Sequence, residues 1–106
     1  MGIQYIESEE GLERAKGSGL TLVDFGAPWC APCRLQEPII RRLAAQFEGK
    51  ASMAAVNITE NGDLASRLGI QSIPTLILFR NGKELQRFVG LQSKATLSDA
   101  LEKFII

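Results

Sequence analysis

The chain has no histidine, only two cysteines, and a single tryptophan and tyrosine among its 106 residues. A structural zinc site takes about four nitrogen or sulfur ligands, so a metal would need a second copy of the chain or carboxylate ligands, and none is expected. Charge of one sign is not in excess either. Twelve basic residues offset twelve acidic ones, for a formal net charge of zero, which removes the simplest electrostatic case for nucleic acid or an anionic membrane as partner. No unbroken apolar run approaches the length of a membrane span. The opening MGIQYIESEE has no basic segment and no apolar signal core. Ile6 stands where acylation of Gly2 would call for Ser or Thr. The expectation is a soluble, monomeric, cytoplasmic protein, in a compartment where structural disulfides are not expected. With 45% hydrophobic and 23% charged residues, the chain has an ordinary globular balance and the length of one domain, residues 1–106, around one core.

Hydrophobic patterning divides the chain into alternating strands and helices. IQYI (Ile3 to Ile6) reads as a short strand. SEEGLERAKG reads as a helix with Ser8 as cap, acidic residues in its first turn and Gly17 as its stop. LTLVDF (Leu20 to Phe25) is too continuously apolar for a half-exposed strand and predicts burial on both faces. From Arg34 onward, Leu35, Ile39, Leu43 and Phe47, with Ile40 and Ala44, form a helical apolar stripe, and Pro38 within it predicts a kink. ASMAAVNI (Ala51 to Ile58) is a third strand, GDLASRLG a short helix ending at Gly69, and PTLILFR a fourth strand. Asn81-Gly82 is a hairpin signal leading to a fifth strand, KELQRFVG. Ser93 caps a last helix that buries Leu97, Leu101, Phe104 and Ile105. The first half predicts parallel pairing through helical crossovers, and the hairpin adds an antiparallel edge. The fold class is therefore α/β, a mixed sheet with helices on both faces, and sites in such sheets form beyond the carboxyl ends of parallel strands.

Both cysteines lie there, in FGAPWCAPCR. Cys30 and Cys33 follow Trp29, between Pro28 and Pro32. They could be metal ligands, inert buried thiols behaving as small hydrophobes, or a redox pair. The redox reading accounts for more of the surroundings. Residues three apart on a first helical turn share a face, close enough for two sulfurs to bond. The unpaired N–H groups and positive dipole end of a helix N-terminus favour a thiolate, which is the nucleophilic form. Pro32 sits where a missing N–H does no harm. Cys30 is then expected to be the exposed attacker and Cys33 the more buried resolver.

VDFGAPWCAPC resembles the active-site segment of the thioredoxin family, usually W-C-G-P-C preceded by a buried Asp. SIPTLILF (Ser72 to Phe79) resembles that family's cis-proline segment, FVGLQSK its glycine-bearing segment before the last helix, and Pro38 matches the kink in its long helix. The resemblance runs over essentially the whole chain. It implies a thioredoxin fold, a central five-stranded mixed sheet flanked by four helices. It also implies a general protein disulfide reductase that works through dithiol–disulfide exchange. Cys30 would attack a substrate disulfide and Cys33 would resolve the mixed disulfide, leaving a redox-active Cys30–Cys33 disulfide. Asp24, by composition alone a strand-end acid, falls within an apolar run where a charge is costly. The resemblance makes it the proton acceptor and donor for Cys33. The resemblance also makes the Ile73–Pro74 bond cis and sets Pro74 against the cysteines, freeing Ile73 to pair with an extended substrate strand. Trp29, Ile73, Pro74, Gly90 and Leu91 would form a flat apolar rim, with Ala31 and Pro32 also facing substrate. The partners implied are disulfide-containing proteins and a thioredoxin reductase supplying electrons from NADPH, with no cofactor bound to the chain itself.

The chain departs from the family pattern at four places. Ala31 replaces a glycine, Gly26 an aromatic residue, Pro28 a position often acidic or polar, and Ala55 a partly buried lysine near the Asp, so that the resemblance sets Ala55 facing Asp24 from the neighbouring strand. A more oxidising oxidoreductase or isomerase, and a binding subunit in which the cysteines are incidental, stay open on sequence alone.

Overall fold

The computed structural model describes residues 2–105. Its strands are β1 (Gln4–Ile6), β2 (Leu20–Gly26), β3 (Ser52–Asn57), β4 (Thr75–Arg80) and β5 (Lys83–Val89). They join in one sheet of order β1-β3-β2-β4-β5. β3 pairs in parallel with β1 and β2, while β4 runs antiparallel to both β2 and β5. The helices are α1 (Glu9–Lys16), α2 (Ala31–Gln46), α3 (Gly62–Arg67) and α4 (Lys94–Ile105).

Local chemistry sets the ends of these elements. The Ser8 hydroxyl accepts from the Gly11 amide at 3.0 Å and caps α1, and the Ser93 hydroxyl accepts from Thr96 N at 3.1 Å to cap α4. Asn81 and Gly82 both take positive φ, 49° and 89°, the combination a tight two-residue hairpin requires. Leu20 to Phe25 are all buried, Thr21 and Asp24 included, as the largely apolar run predicted.

Helices cover both faces of the sheet. On one side Leu20, Leu22, Met53, Leu76 and Leu78 pack against Ile40, Leu43 and Ala44 of α2 and Leu97 and Leu101 of α4. On the other, Val23, Phe25, Val56 and Ile77 pack with Leu12 of α1 and Leu64 of α3. Phe104 and Ile105, expected in the core, are half-buried and pack against its margin, since among the described residues no element follows α4 to cover its carboxyl end on the outside. α2 is continuous through Pro38.

The expected stripe on α2 is corrected in phase. Leu35 is 62% exposed and Ile39 half-buried, whereas Cys33, Gln36, Ile40, Leu43 and Ala44 are the buried positions. A strict spacing of four drifts by about 40° per step around an α-helix, so a line drawn through Leu43 and Phe47 leaves the buried face two steps earlier.

Candidate active site

The site begins on β2, the central strand. Residues of alternate parity point to opposite faces, so Asp24 shares the α2 face with Leu20 and Leu22. The register sets Tyr5, Ala55, Asp24, Leu76 and Phe88 side by side across the five strands. β2 ends at Gly26, and four residues later Cys30 caps α2 in extended conformation, φ −91° and ψ 114°. Its sulfur accepts from the Cys33 amide at 3.3 Å, one of the donors that a helix N-terminus leaves without an intrahelical partner. The two Cα atoms are 5.2 Å apart and the cysteines form a disulfide. Pro32 lies in the first turn, where its missing N–H costs nothing.

The expected contrast in exposure between the cysteines is absent: each is 7% exposed. They differ in surroundings instead. The Cys30 sulfur lies 3.9 Å from the Ile73 carbonyl oxygen. Cys33 faces inward under Gly26, where an added Cβ would come within 3.1 Å of its sulfur. Ala27, Ile58 and Ile73 complete an apolar collar around both.

Two further loops meet this point. The Ile73–Pro74 bond is cis, and the Pro74 carbonyl accepts from Gly90 N at 2.8 Å. Gly90 has φ 91°, a conformation costly for any residue with a side chain. Trp29, 68% exposed, and Leu91 stand out from the surface, Ala31 and Pro32 are exposed beside them, and Ile73 and Gly90 are half-buried. Pro74 is corrected from the rim to the layer beneath it: it is buried, because it leads directly into β4, whose residues Thr75 to Phe79 are all buried in the centre of the sheet.

Two residues were missed by the sequence reading. Gln36 is fully buried on α2. It donates to the Gln92 carbonyl at 3.0 Å and accepts from Gln92 N at 2.8 Å, locking the Gly90–Leu91–Gln92 loop to the helix. Counting buried positions three or four at a time from Cys33 would have found it. Thr59 accepts from the Trp29 indole N–H at 3.0 Å and fixes the ring; a lone threonine after a strand carries no signal of that kind.

Asp24 is 8% exposed, and its Oδ1 has no hydrogen-bond partner. Burial, and secondarily the negative charge of Glu37, pushes its carboxyl up to about 7. Across the register Ala55 offers only a methyl group. A cleft of about 330 Å³ opens here between α2 and the sheet, reaching Asp24, Gly26 and Cys33. At its mouth Tyr5 donates to Glu37 at 2.6 Å, and Arg41 donates to both at 2.9 Å. Among the described residues, no three His, Cys, Asp or Glu side chains gather to hold a metal ion, and no helix is long and apolar enough to cross a membrane.

Sequence and structure comparisons converge on one group of proteins. The profile of the family named Thioredoxin matches residues 8–103. Thioredoxin 1 of a Nostoc species is 49% identical over 84 residues, covering 79% of this chain and 78% of the relative. Thioredoxin of Staphylococcus aureus is 42% identical over 88 residues, covering 83% and 85%. Among solved structures, a mutant thioredoxin from Halobacterium salinarum superposes with a TM-score of 0.93 at 34% identity, over 99% of this chain and 92% of that one.

Proposed function

The chain belongs to the thioredoxin family of thiol–disulfide oxidoreductases, and from that membership and the geometry around its disulfide we propose how its residues divide the reaction. In the reduced protein the Cys30 thiolate attacks one sulfur of a substrate disulfide. A Cys30–substrate disulfide forms and one substrate thiolate leaves to take a proton. Asp24 then accepts the Cys33 proton, and the Cys33 thiolate attacks the Cys30 sulfur. The second substrate thiolate departs, and the Cys30–Cys33 disulfide remains. Two electrons pass from the chain to its substrate through sulfur alone, so the step calls for no bound cofactor.

The observation that carries this reading is the disulfide itself, formed at the N-terminus of α2 with Cys30 against the Ile73 carbonyl. A substrate strand laid along Ile73 would pair with its backbone, between the Trp29 ring and Leu91. Disulfide-bearing proteins are the substrate class. A thioredoxin reductase drawing on NADPH returns the disulfide to the dithiol, and the protein works as a monomer in the cytoplasm, where such a reductant is available.

Insulin-disulfide reduction coupled to NADPH oxidation by a bacterial thioredoxin reductase tests the scheme. The wild type should turn over, Cys30→Ser should be inactive, and Cys33→Ser should accumulate a mixed disulfide visible by mass spectrometry. A Cys30→Ser, Cys33→Ser double variant with full activity would overturn it. A binding subunit or a more oxidising isomerase is not favoured, and the reduction potential of the pair separates the isomerase from the reductase.

A further inference from the structure

The cleft beside Asp24 has features that disulfide exchange does not use. It lies on the α2 face, where the row Tyr5–Ala55–Asp24 and the neighbouring Gly26 present two small residues under the helix. Its 330 Å³ falls at the low end of the range, about 300–1,000 Å³, of pockets that take small molecules. Ile3, Ala27, Pro28 and Ala55 give it apolar walls. Its charged groups come from every bordering element: Glu7 after β1, Asp24 on β2, Arg34 and Glu37 on α2, and Glu60 after β3. Four of these five are carboxylates. The one guanidinium is already engaged, donating to the Pro28 carbonyl at 2.8 Å. Glu37 is matched by Tyr5 and Arg41, whereas Glu7 and Glu60 have no ion-pair partner among the described residues. At the inner end stands Asp24, more than nine-tenths buried, with Oδ1 unpartnered.

We propose that this cleft binds a small organic cation, a primary ammonium on a short apolar stem, with the ammonium donating to Asp24 and the stem lying along Ala55, Ile3 and Pro28. An unpaired buried carboxylate is costly, and an ammonium supplies both the opposite charge and up to three donors. An anion would face four carboxylates against one guanidinium, and a neutral alcohol would leave the Asp24 charge uncompensated. The bound stem lies beside Cys33, so the occupant sits next to the resolving thiol without touching the face that meets substrate.

Butylammonium is a suitable probe, followed by ¹H–¹⁵N NMR on the oxidised protein at constant ionic strength near pH 9, where Asp24 is ionised and the amine still carries its proton. Saturable shifts are expected at the amides of Gly26, Ala55 and Asn57, with a dissociation constant on the order of a millimolar for so few heavy atoms. Butanol and butyrate should bind about tenfold more weakly or not at all, and Asp24→Asn should weaken butylammonium by a similar factor. Ala55→Leu, which fills the cleft without touching Asp24 chemically, should abolish the shifts. Binding of butanol as tight as butylammonium, unchanged affinity in Asp24→Asn, or no saturable shift in the wild type would each overturn the proposal. Should Ala55→Leu fail to fold, the butylammonium-to-butanol ratio in the wild type decides alone. No turnover enters the measurement, so its outcome and that of the insulin assay are independent.

Discussion

Replacing Asp24 with Asn isolates the energetic cost of a buried charge. The carboxyl is raised from an ordinary 3.8 to about 7, chiefly by burial and then by Glu37. With nine-tenths of the residue out of water, solvent screening removes little of that effect. Every tenfold change in proton affinity between the folded and unfolded chain corresponds to about 1.4 kcal/mol, so the fully ionised group costs the fold on the order of 4 kcal/mol. The sign follows from the direction. Below the unfolded value both states are protonated and nothing is lost. As pH climbs from about 4 to about 7 the unfolded chain releases its proton while the folded chain keeps it, and stability falls. Above that both are ionised and the loss levels off. Asparagine does not titrate, but its amide enters a site where Oδ1 already lacks a donor, at a cost of about 1–3 kcal/mol. The variant should therefore be equal to or less stable than wild type near pH 4, and more stable by about 1–3 kcal/mol near pH 9. Urea denaturation of the oxidised proteins across that range measures the difference, and insulin reduction by the variant should be slower at neutral pH. Stability curves that run parallel from acid to alkali would refute the reasoning and reduce Asp24 to a strand-end acid.

Three other outcomes follow from the same geometry. In the reduced protein iodoacetamide should alkylate Cys30 much faster than Cys33, since Cys30 caps the helix and opens to the Ile73 side while Cys33 lies under Gly26; peptide mapping after partial modification reads the ratio, and equal rates would contradict the assignment. Gln36→Leu should release the Gly90–Gln92 loop, lower stability by about 1–2 kcal/mol and raise KM for insulin several-fold while leaving the Cys30 alkylation rate as it is. Ala55→Lys should bring an ammonium opposite Asp24 and move the midpoint of its NMR-detected titration to lower pH, by about 1 or more; an unmoved midpoint would mean the two side chains do not meet.

How much of this was legible in the sequence depended on whether the signal was local. The Asn81-Gly82 turn, the Ser8 and Ser93 caps and the doubly buried run Leu20 to Phe25 each follow from chemistry within a few residues. The pairing of Asp24 with Ala55 rested on resemblance and is found in the register. Features set by packing between distant segments were harder. The phase of α2 depends on where the sheet lies, so Leu35 faces solvent while Gln36 faces inward. The antiparallel placement of β4 against β2 has no marker in either strand. The equal burial of the two cysteines reflects Ile73 and Ile58 closing in from other loops, which a helix-terminus argument built on ten residues does not contain.

The position of β2 also bears on how the molecule comes apart. Opening free energies in native proteins run from near zero at frayed edges to the global value in central elements. β1 and β5 are the outer strands, each with a single hydrogen-bonded neighbour, while β2 has β3 on one side and β4 on the other. Amides of β2 should therefore exchange with deuterium only on global unfolding, and those of β1 through much cheaper excursions. The reactive loop grows from the slowest-exchanging strand, so thermal fraying at the margins leaves the two sulfurs in register. A lesion in β1 or β5 would be felt as a shorter protein lifetime rather than as altered sulfur chemistry.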